Sequence, residues 1–322
     1  MQIDVSIAFF LMGVFAVLVR ADIQFPRSLY QSLILFLMIA IGLKGGVALA
    51  EHASWALVVQ SIYVILFGFA LPLIAFPILY YIGALKRDDA ASIAAHYGSV
   101  SVGTYAVAVA FLEAKGIHYE AYIPLFVVLL EMPAIVIGIL LAKSGAAPRS
   151  KNKSKQQVSA DRQTLLHEMF FNQGVVLMVG GLVIGYFAGE GIDKVAPLFF
   201  GLFNAVLALF LLEMGMVAAS RLKDLKHMGS FMLAFGFAMP MVGGVLGSLL
   251  GVMMGLSVGG VTLVAVLGAS ASYIAVPAAM RIILPNANHS LSITASLGIT
   301  FPFNVLVGIP VYLVVSQWLL SF

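Results

Sequence analysis

The stretch HYGSVSVGTYAVAVAF, residues 96–111, decides how this chain folds, and a counterpart, LGASASYIAVPAAM, occupies residues 267–280. Both stretches are apolar enough to belong to membrane-spanning segments, yet a cluster of Ser, Thr, Gly or Ala interrupts each one. Gly and Ser weaken a helix locally, and Ser and Thr offer hydrogen-bonding partners to backbone groups that leave the helix. The pattern therefore predicts two membrane helices that are broken in the middle.

The composition indicates a membrane protein. Of the 322 residues, 62% are hydrophobic and only 10% are charged, against roughly 45–50% and about 25% in a soluble domain. The net charge of +3 is small, which argues against a nucleic-acid partner, and the absence of Cys excludes disulfides and thiolate metal sites. A membrane span needs about 20 apolar residues. Ten segments are predicted to meet this standard: 4–19, 28–50, 55–83, 90–112, 120–142, 167–188, 195–218, 229–253, 257–281 and 291–320.

The distribution of Lys and Arg predicts the orientation. If the N-terminus is outside, fourteen of the 17 basic residues lie in inside loops, Lys115 and Lys194 lie in outside loops, and Lys44 lies within a span. Cytoplasmic loops carry an excess of Lys and Arg. We therefore expect a protein of the cell membrane, surrounded by lipid, with both termini outside and the polar linker 143–166 in the cytoplasm.

An internal repeat relates the two halves, 1–142 and 167–322. At an offset of 169 residues, Ser101 falls on Ser270, Pro133 falls on Pro302, and LKGGVALA (43–50) falls on LEMGMVAA (212–219). Each half holds five predicted spans, so the second half enters the membrane from the opposite side. The predicted fold is an all-α polytopic membrane protein of ten helices in two inverted five-helix repeats, an architecture of secondary transporters, with the fourth helix of each repeat broken.

The two breaks are the candidate substrate site. The N-terminus of a half-helix presents free N–H groups and the positive end of its dipole, which favour an anion. The residues proposed to bind it are Ser101, Gly103 and Thr104 on one side and Ser270, Ala271 and Ser272 on the other. The alternative is that these small residues only allow close helix packing.

Other intramembrane polar residues have candidate roles. Glu131 lies two residues before Pro133, which frees a backbone carbonyl, so it is a candidate cation or proton site to which Asn304 could add an oxygen. The alternative for Glu131 is a neutral, hydrogen-bonded carboxyl. Lys44 and Glu213 occupy equivalent positions in the two halves and could form a buried ion pair, since an unpaired charge is costly there.

The sequence offers little support for catalysis. It contains neither a GxxxxGK[ST] phosphate loop nor an HExxH zinc motif, and its Ser residues lack a convincing His and Asp partner. We expect a protein that is not an enzyme and holds no resident metal.

Several motifs, in this order, resemble those of the sodium-dependent bicarbonate transporter family: IGLKGGVAL, GSVSVGTYA, LEAKGIHYEAYIPLF, EMPA, LEMGMVAASRLKDL, ASASYIAVPAAMRIILPNAN and ITFPFNVLVGIP. They cover most of the chain outside the linker. The resemblance implies bicarbonate uptake with Na⁺ by a core domain that moves against a scaffold, commonly in a trimer, and an anion site where the two broken helices cross. It also implies a PII-like regulatory protein on the cytoplasmic side.

One position departs from the family. Cyanobacterial members typically carry an Asp in the second hydroxyl motif, where this chain has Tyr273. Tyr273 is therefore a further candidate for the cation site, and coupling to Na⁺ is an open question. Two alternatives remain: a transporter of another small carboxylate or inorganic anion, coupled to protons or not to sodium, and an anion channel.

Overall fold

A computed structural model describes residues 5–21, 23–144, 171, 173–225 and 228–322, and the regular structure in these ranges is helical. The first half contains α1 (Val5–Leu18), α2 (Arg27–His52), α3 (Trp55–Ile82), α4 (Arg87–Gly98), α5 (Val102–Ala114) and α6 (Pro124–Lys143). The second half contains α7 (Gln173–Ala188), α8 (Ala196–Phe199), α9 (Phe203–Leu225), α10 (Gly229–Met253), α11 (Val258–Ala269), α12 (Ala275–Ile283) and α13 (His289–Leu319). A 3-10 turn, Gly189–Lys194, joins α7 to α8, and α13 contains the π-helical stretches Thr294–Thr300 and Asn304–Gly308.

Eight helical segments in the described ranges are long and apolar enough to cross a membrane, so the chain is a multi-pass membrane protein. The predicted spans 4–19 and 257–281 are the two exceptions. The first contains α1, a shorter apolar helix of 14 residues, and the second is divided between α11 and α12. The count of ten spans therefore stays a prediction.

Both hydroxyl clusters separate two helices. Residues 99–101 lie between α4 and α5, and residues 270–274 lie between α11 and α12. At the first break, Ser99 and Ser101 have extended backbones, and Ser101 caps α5 because its Oγ accepts a hydrogen bond from the Thr104 N–H at 3.1 Å. A serine N-cap satisfies one of the amides that a new helix leaves without a partner.

The helices form two groups. In the four-helix bundle, α2 packs along α7, α1 packs along α9, and α2 also contacts α9. In the central bundle, α3, α4 and α6 pack against one another, as do α10, α11 and α13, and the helices α5 and α12 complete it. Each long contact of the four-helix bundle is made through a glycine. A Cβ on Gly46 would lie 2.9 Å from Gly185 Cα, and a Cβ on Gly215 would lie 3.0 Å from Val14 N.

The predicted cytoplasmic linker, 143–166, lies outside the described residues apart from Lys143 and Ser144. Its position and its role as a domain boundary stay predictions.

Gly46→Ala should destabilise the protein, because the added methyl group meets the backbone of α7. Overpacking of this kind costs about 1–3 kcal/mol, so the thermal unfolding midpoint in detergent should fall. The matched control is Gly180→Ala in α7, where a Cβ would meet nothing within 4 Å. Equal midpoints for the two variants would contradict the proposed close contact.

Candidate functional site

The two breaks contact each other directly through Ser270. The Ser101 N–H donates a hydrogen bond to Ser270 Oγ at 3.0 Å, and Ser270 Oγ donates to the Leu267 carbonyl at 3.0 Å. The hydroxyl of Ser270 thus joins the end of α11 to the start of α5. Residues that the repeat places 169 apart are bonded to each other here.

His96 makes a second connection between the breaks. Its backbone carbonyl accepts from the Ser272 N–H at 2.8 Å, and its Nδ1 lies 2.7 Å from the Ser272 carbonyl. A carbonyl oxygen only accepts, so the proton of the neutral imidazole must be on Nδ1. His96 is fully buried. No pattern in the sequence identified the second break as the partner of His96.

A cleft of about 240 Å³ lies between the starts of α5 and α12. Its wall consists of Met38, Val100, Ser101, Val102, Glu131, Ser272, Tyr273, Ile274 and Ala275. The first four amides of a helix have no acceptor within it. In α5, the amides of Thr104 and Tyr105 donate to the side chain and the carbonyl of Ser101. The amides of Val102 and Gly103, which have no acceptor within the helix, lie at the end of α5 nearest the cleft. Two helix N-termini therefore direct their positive ends at one small space.

Two polar atoms at the cleft are buried without a hydrogen-bond partner among the described residues. They are Oε2 of Glu131, a residue only 3% exposed, and Oη of Tyr273, which is 9% exposed. The Tyr273 hydroxyl points toward Gly103, since a Cβ on that glycine would lie 2.5 Å from it. Burying a polar group without a partner costs about 1–3 kcal/mol. Both atoms are thus available to a ligand.

The structure brings most of the predicted site residues together. Ser101, Ser272, Tyr273 and Glu131 line the cleft. The other four predicted substrate residues lie beside it in the chain and are buried: Gly103, Thr104, Ser270 and Ala271. The Thr104 hydroxyl donates to Ser101 Oγ at 2.9 Å and so supports the cap of α5. Met38 and Val100 were missed, because an apolar residue in an apolar segment gives no signal.

The expectation that Asn304 contributes an oxygen beside Glu131 is wrong for this structure. Asn304 does not line the cleft. Its Nδ2 donates to the Ala269 carbonyl at 2.9 Å, and its Oδ1 accepts from Tyr312 Oη at 2.9 Å. The side chain satisfies the carbonyl that the end of α11 leaves free, so it stabilises the second break.

The predicted ion pair between Lys44 and Glu213 is also wrong. Lys44 Nζ is paired with Glu113 Oε1 at the end of α5. Glu213 lies instead near Tyr30, whose hydroxyl is 3.8 Å from Sδ of the adjacent Met214. Tyr30 and Lys44 are 14 residues apart in α2, which is about 21 Å along a helix that rises about 1.5 Å per residue. Lys44 and Glu213, which align at the 169-residue offset, are therefore far apart in the structure.

A buried polar cleft between interrupted helices, in a chain with eight apolar helices of membrane-spanning length, is typical of a membrane transporter. The family model of the Na⁺-dependent bicarbonate transporter superfamily matches residues 6–317, and the chain belongs to this superfamily. The resemblance read from the sequence motifs is confirmed. The family is one of transporters and not of enzymes, and its name indicates dependence on Na⁺. No curated protein matches the chain.

His96→Ala should lower the thermal unfolding midpoint in detergent, because it leaves the buried Ser272 carbonyl without a donor at a cost of about 1–3 kcal/mol. His96→Asn should restore most of the loss, since its amide nitrogen can donate from nearly the same place. The control is His52→Ala, which removes an exposed imidazole whose Nδ1 lies 2.9 Å from the Ala48 carbonyl. Equal loss in the Ala and Asn variants would contradict the role of this hydrogen bond.

Proposed function

We propose that the chain carries a small anion, with bicarbonate the first candidate, into the cell together with Na⁺ by alternating access. The observation that supports this most directly is the convergence of the α5 and α12 N-termini on the cleft that contains Ser101 and Ser272. The amides of Val102 and Gly103, which have no acceptor within α5, and the dipoles of both helices stabilise negative charge without a basic side chain. The substrate-binding residues in this proposal are Ser101, Gly103, Thr104, Ser270, Ala271 and Ser272.

Glu131 is the proposed cation-binding residue. It is the one acidic residue among those that line the cleft, and its Oε2 has no partner there. A carboxylate and a substrate anion in one buried space repel each other, so a bound cation lowers the cost of burying both. The hydroxyls of Ser101, Ser272 and Tyr273 supply further oxygens of the kind that a hard cation prefers. With Tyr273 in place of the family Asp, Glu131 has the role of the carboxylate.

The proposed architecture is the inverted repeat of ten spans, with the 143–166 linker in the cytoplasm and the N-terminus outside. Reciprocal packing supports the repeat. At the 169-residue offset α1 corresponds to α7 and α2 corresponds to α9, so the contact of α2 with α7 is equivalent to the contact of α9 with α1. Gly46 and Gly215, also 169 residues apart, are among the close-contact glycines of these two interfaces.

In the proposed mechanism, the central bundle moves as a unit against the four-helix bundle. The bonds between Ser101 and Ser270 and between His96 and Ser272 lie wholly within the central bundle, so the two breaks can stay bonded to each other during the movement. The part of the cleft wall that Met38 of α2 forms would then change. The family resemblance further suggests a homotrimer and a PII-like protein on the cytoplasmic side.

The test is uptake of labelled bicarbonate by the purified protein in liposomes, with and without an inward Na⁺ gradient, and separately with a pH gradient. We expect saturable accumulation that requires Na⁺. Unlabelled formate, acetate and nitrate as competitors define the anion class. Uptake by protein-free liposomes is subtracted, because CO₂ in equilibrium with bicarbonate crosses lipid and accumulates as bicarbonate in an alkaline interior. Protein-dependent accumulation driven by the pH gradient alone would then indicate proton coupling, and unsaturable flux without a cation requirement would indicate a channel. Either result would contradict the proposal.

Ser270→Ala should reduce bicarbonate uptake about tenfold or more, because it leaves the Ser101 amide unpaired at a cost of about 1–3 kcal/mol. The measurement is the initial rate of uptake per inserted protein. Ser248→Ala is the matched control, since Ser248 is equally buried but donates only to the Gly244 carbonyl of its own helix. Unchanged uptake in Ser270→Ala would exclude this serine from the site.

Glu131→Gln should remove the response of uptake to the Na⁺ gradient, because the neutral amide keeps the shape of the side chain and loses the charge that holds the cation. Uptake is measured at several Na⁺ concentrations. Glu131→Asp should keep part of the Na⁺ dependence, and the exposed Glu190→Gln should leave it unchanged. A normal Na⁺ dependence in Glu131→Gln would show that the cation binds elsewhere.

A further inference from the structure

A second and larger cavity, of about 480 Å³, lies between the two bundles. The cleft and this cavity lie next to each other along the helices α2 and α5, which line both of them. Met38 of α2 and Val102 of α5 line the cleft, and about one turn further along, Ile41 and Tyr105 line the larger cavity. An ion or molecule that moves between α2 and α5 would therefore pass from one space toward the other.

The larger cavity contains an ion pair that the transport proposal does not use. Lys44 Nζ contacts Glu113 Oε1 and lies 3.1 Å from Tyr119 Oη, and Tyr119 Oη donates to Glu113 Oε1 at 2.7 Å. The side chains of Lys44 and Glu113 are 44% and 34% exposed. An ion pair that water reaches contributes only about 0–1 kcal/mol. Another anion can therefore replace the carboxylate.

Lys44 is also the one basic residue among all those that line either cavity. Tyr119 lies in the loop between α5 and α6, and burial, with a further contribution from Glu113, raises its pKa above the ordinary value. Its hydroxyl therefore stays protonated and can donate to an anion. An ammonium group and a neutral hydroxyl donor meet in a space large enough for a small solute, which is the usual chemistry of a carboxylate site.

We propose that this cavity is a receiving site, where a small monoanion of the bicarbonate or carboxylate type replaces Glu113 as the partner of Lys44 before it moves on to the cleft. The proposal rests on the proposed transport of an anion. Glu113 acts as a competitor that occupies Lys44 while no substrate is present. The alternative is that the pair is only a structural tie between α2 and α5.

The receiving site and the structural tie predict different changes in the KM for the anion when Lys44 or Glu113 is substituted. A receiving site loses its cation in Lys44→Cys, so the KM for the anion should rise about tenfold, the lower end of the effect of a lost charged hydrogen bond. Glu113→Gln removes the competing carboxylate, so the KM should fall several-fold. A structural tie is broken by either change, and both variants should then be impaired in the same direction.

The chain contains no cysteine, so a single introduced thiol can be modified selectively. In the Lys44→Cys variant, aminoethyl methanethiosulfonate converts the new thiol into a side chain that ends in an ammonium group, and sulfonatoethyl methanethiosulfonate attaches a negative charge instead. We expect the first reagent to restore the KM and the second to leave it raised. The matched control is Lys115→Cys, which removes an exposed ammonium group at the end of α5 that does not line the cavity. Its KM should not change.

Protection of an introduced thiol from chemical modification does not depend on transport. This measurement therefore tests the receiving site independently of the transport proposal. Ala121 lines the same cavity, so Ala121→Cys places a thiol there and keeps Lys44. Saturating bicarbonate or formate should slow the modification of this thiol and should not slow that of the thiol in Lys115→Cys. If wild-type protein transports the anion but Lys44→Cys keeps the normal KM, the receiving site is excluded and the transport proposal stands. If wild-type protein transports none of the anions, the transport proposal fails, and a thiol at position 121 that the anions do not protect would then exclude the receiving site as well.

Discussion

The constraint on which the structure depends is that backbone groups freed inside a membrane must find partners within the protein. Two helices are interrupted at buried positions, and each break supplies partners for the other. The Ser101 amide bonds to Ser270, the Ser272 amide bonds to the His96 carbonyl, and the Ala269 carbonyl bonds to Asn304. The freed groups of each break are thus bonded to other helices, and the two breaks form one structural unit.

This unit satisfies most of the freed groups but not all of them. The first amides of α5 and the hydroxyl of Tyr273 face a small cleft that also contains the Glu131 carboxyl. An anion suits the helix N-termini, and a cation suits the carboxyl. A single ion in such a space would leave an uncompensated charge, which is expensive away from water. The geometry therefore supports the proposal that an anion and a cation move together.

The interruptions of the two helices could be predicted from the sequence, because local clusters of small residues encode them. The small-residue clusters predicted both interruptions, and the 169-residue offset predicted that Ser101 and Ser270 are equivalent; they are bonded to each other. The same offset misled for Lys44 and Glu213, because two residues that align at a common sequence offset need not lie close together. The partners of Asn304 and His96 could not be predicted either. Each depends on how separate helices cross, and no local pattern encodes that crossing.

The first half of the chain has a carboxyl at position 131, and the second half has a hydroxyl at the position that aligns with it. The residue 169 positions later is Thr300, which likewise stands two residues before a proline. Thr300 Oγ1 donates to the Gly236 carbonyl at 2.8 Å and lies 2.7 Å from Tyr97 Oη, so it is fully used in packing the central bundle. Glu131 has a carboxyl oxygen with no such use. A hydroxyl would be the cheaper residue to bury at both places, since a carboxyl without a partner destabilises the fold. A carboxyl with an unpaired oxygen at only one of the two positions supports the proposal that a bound cation compensates for Glu131.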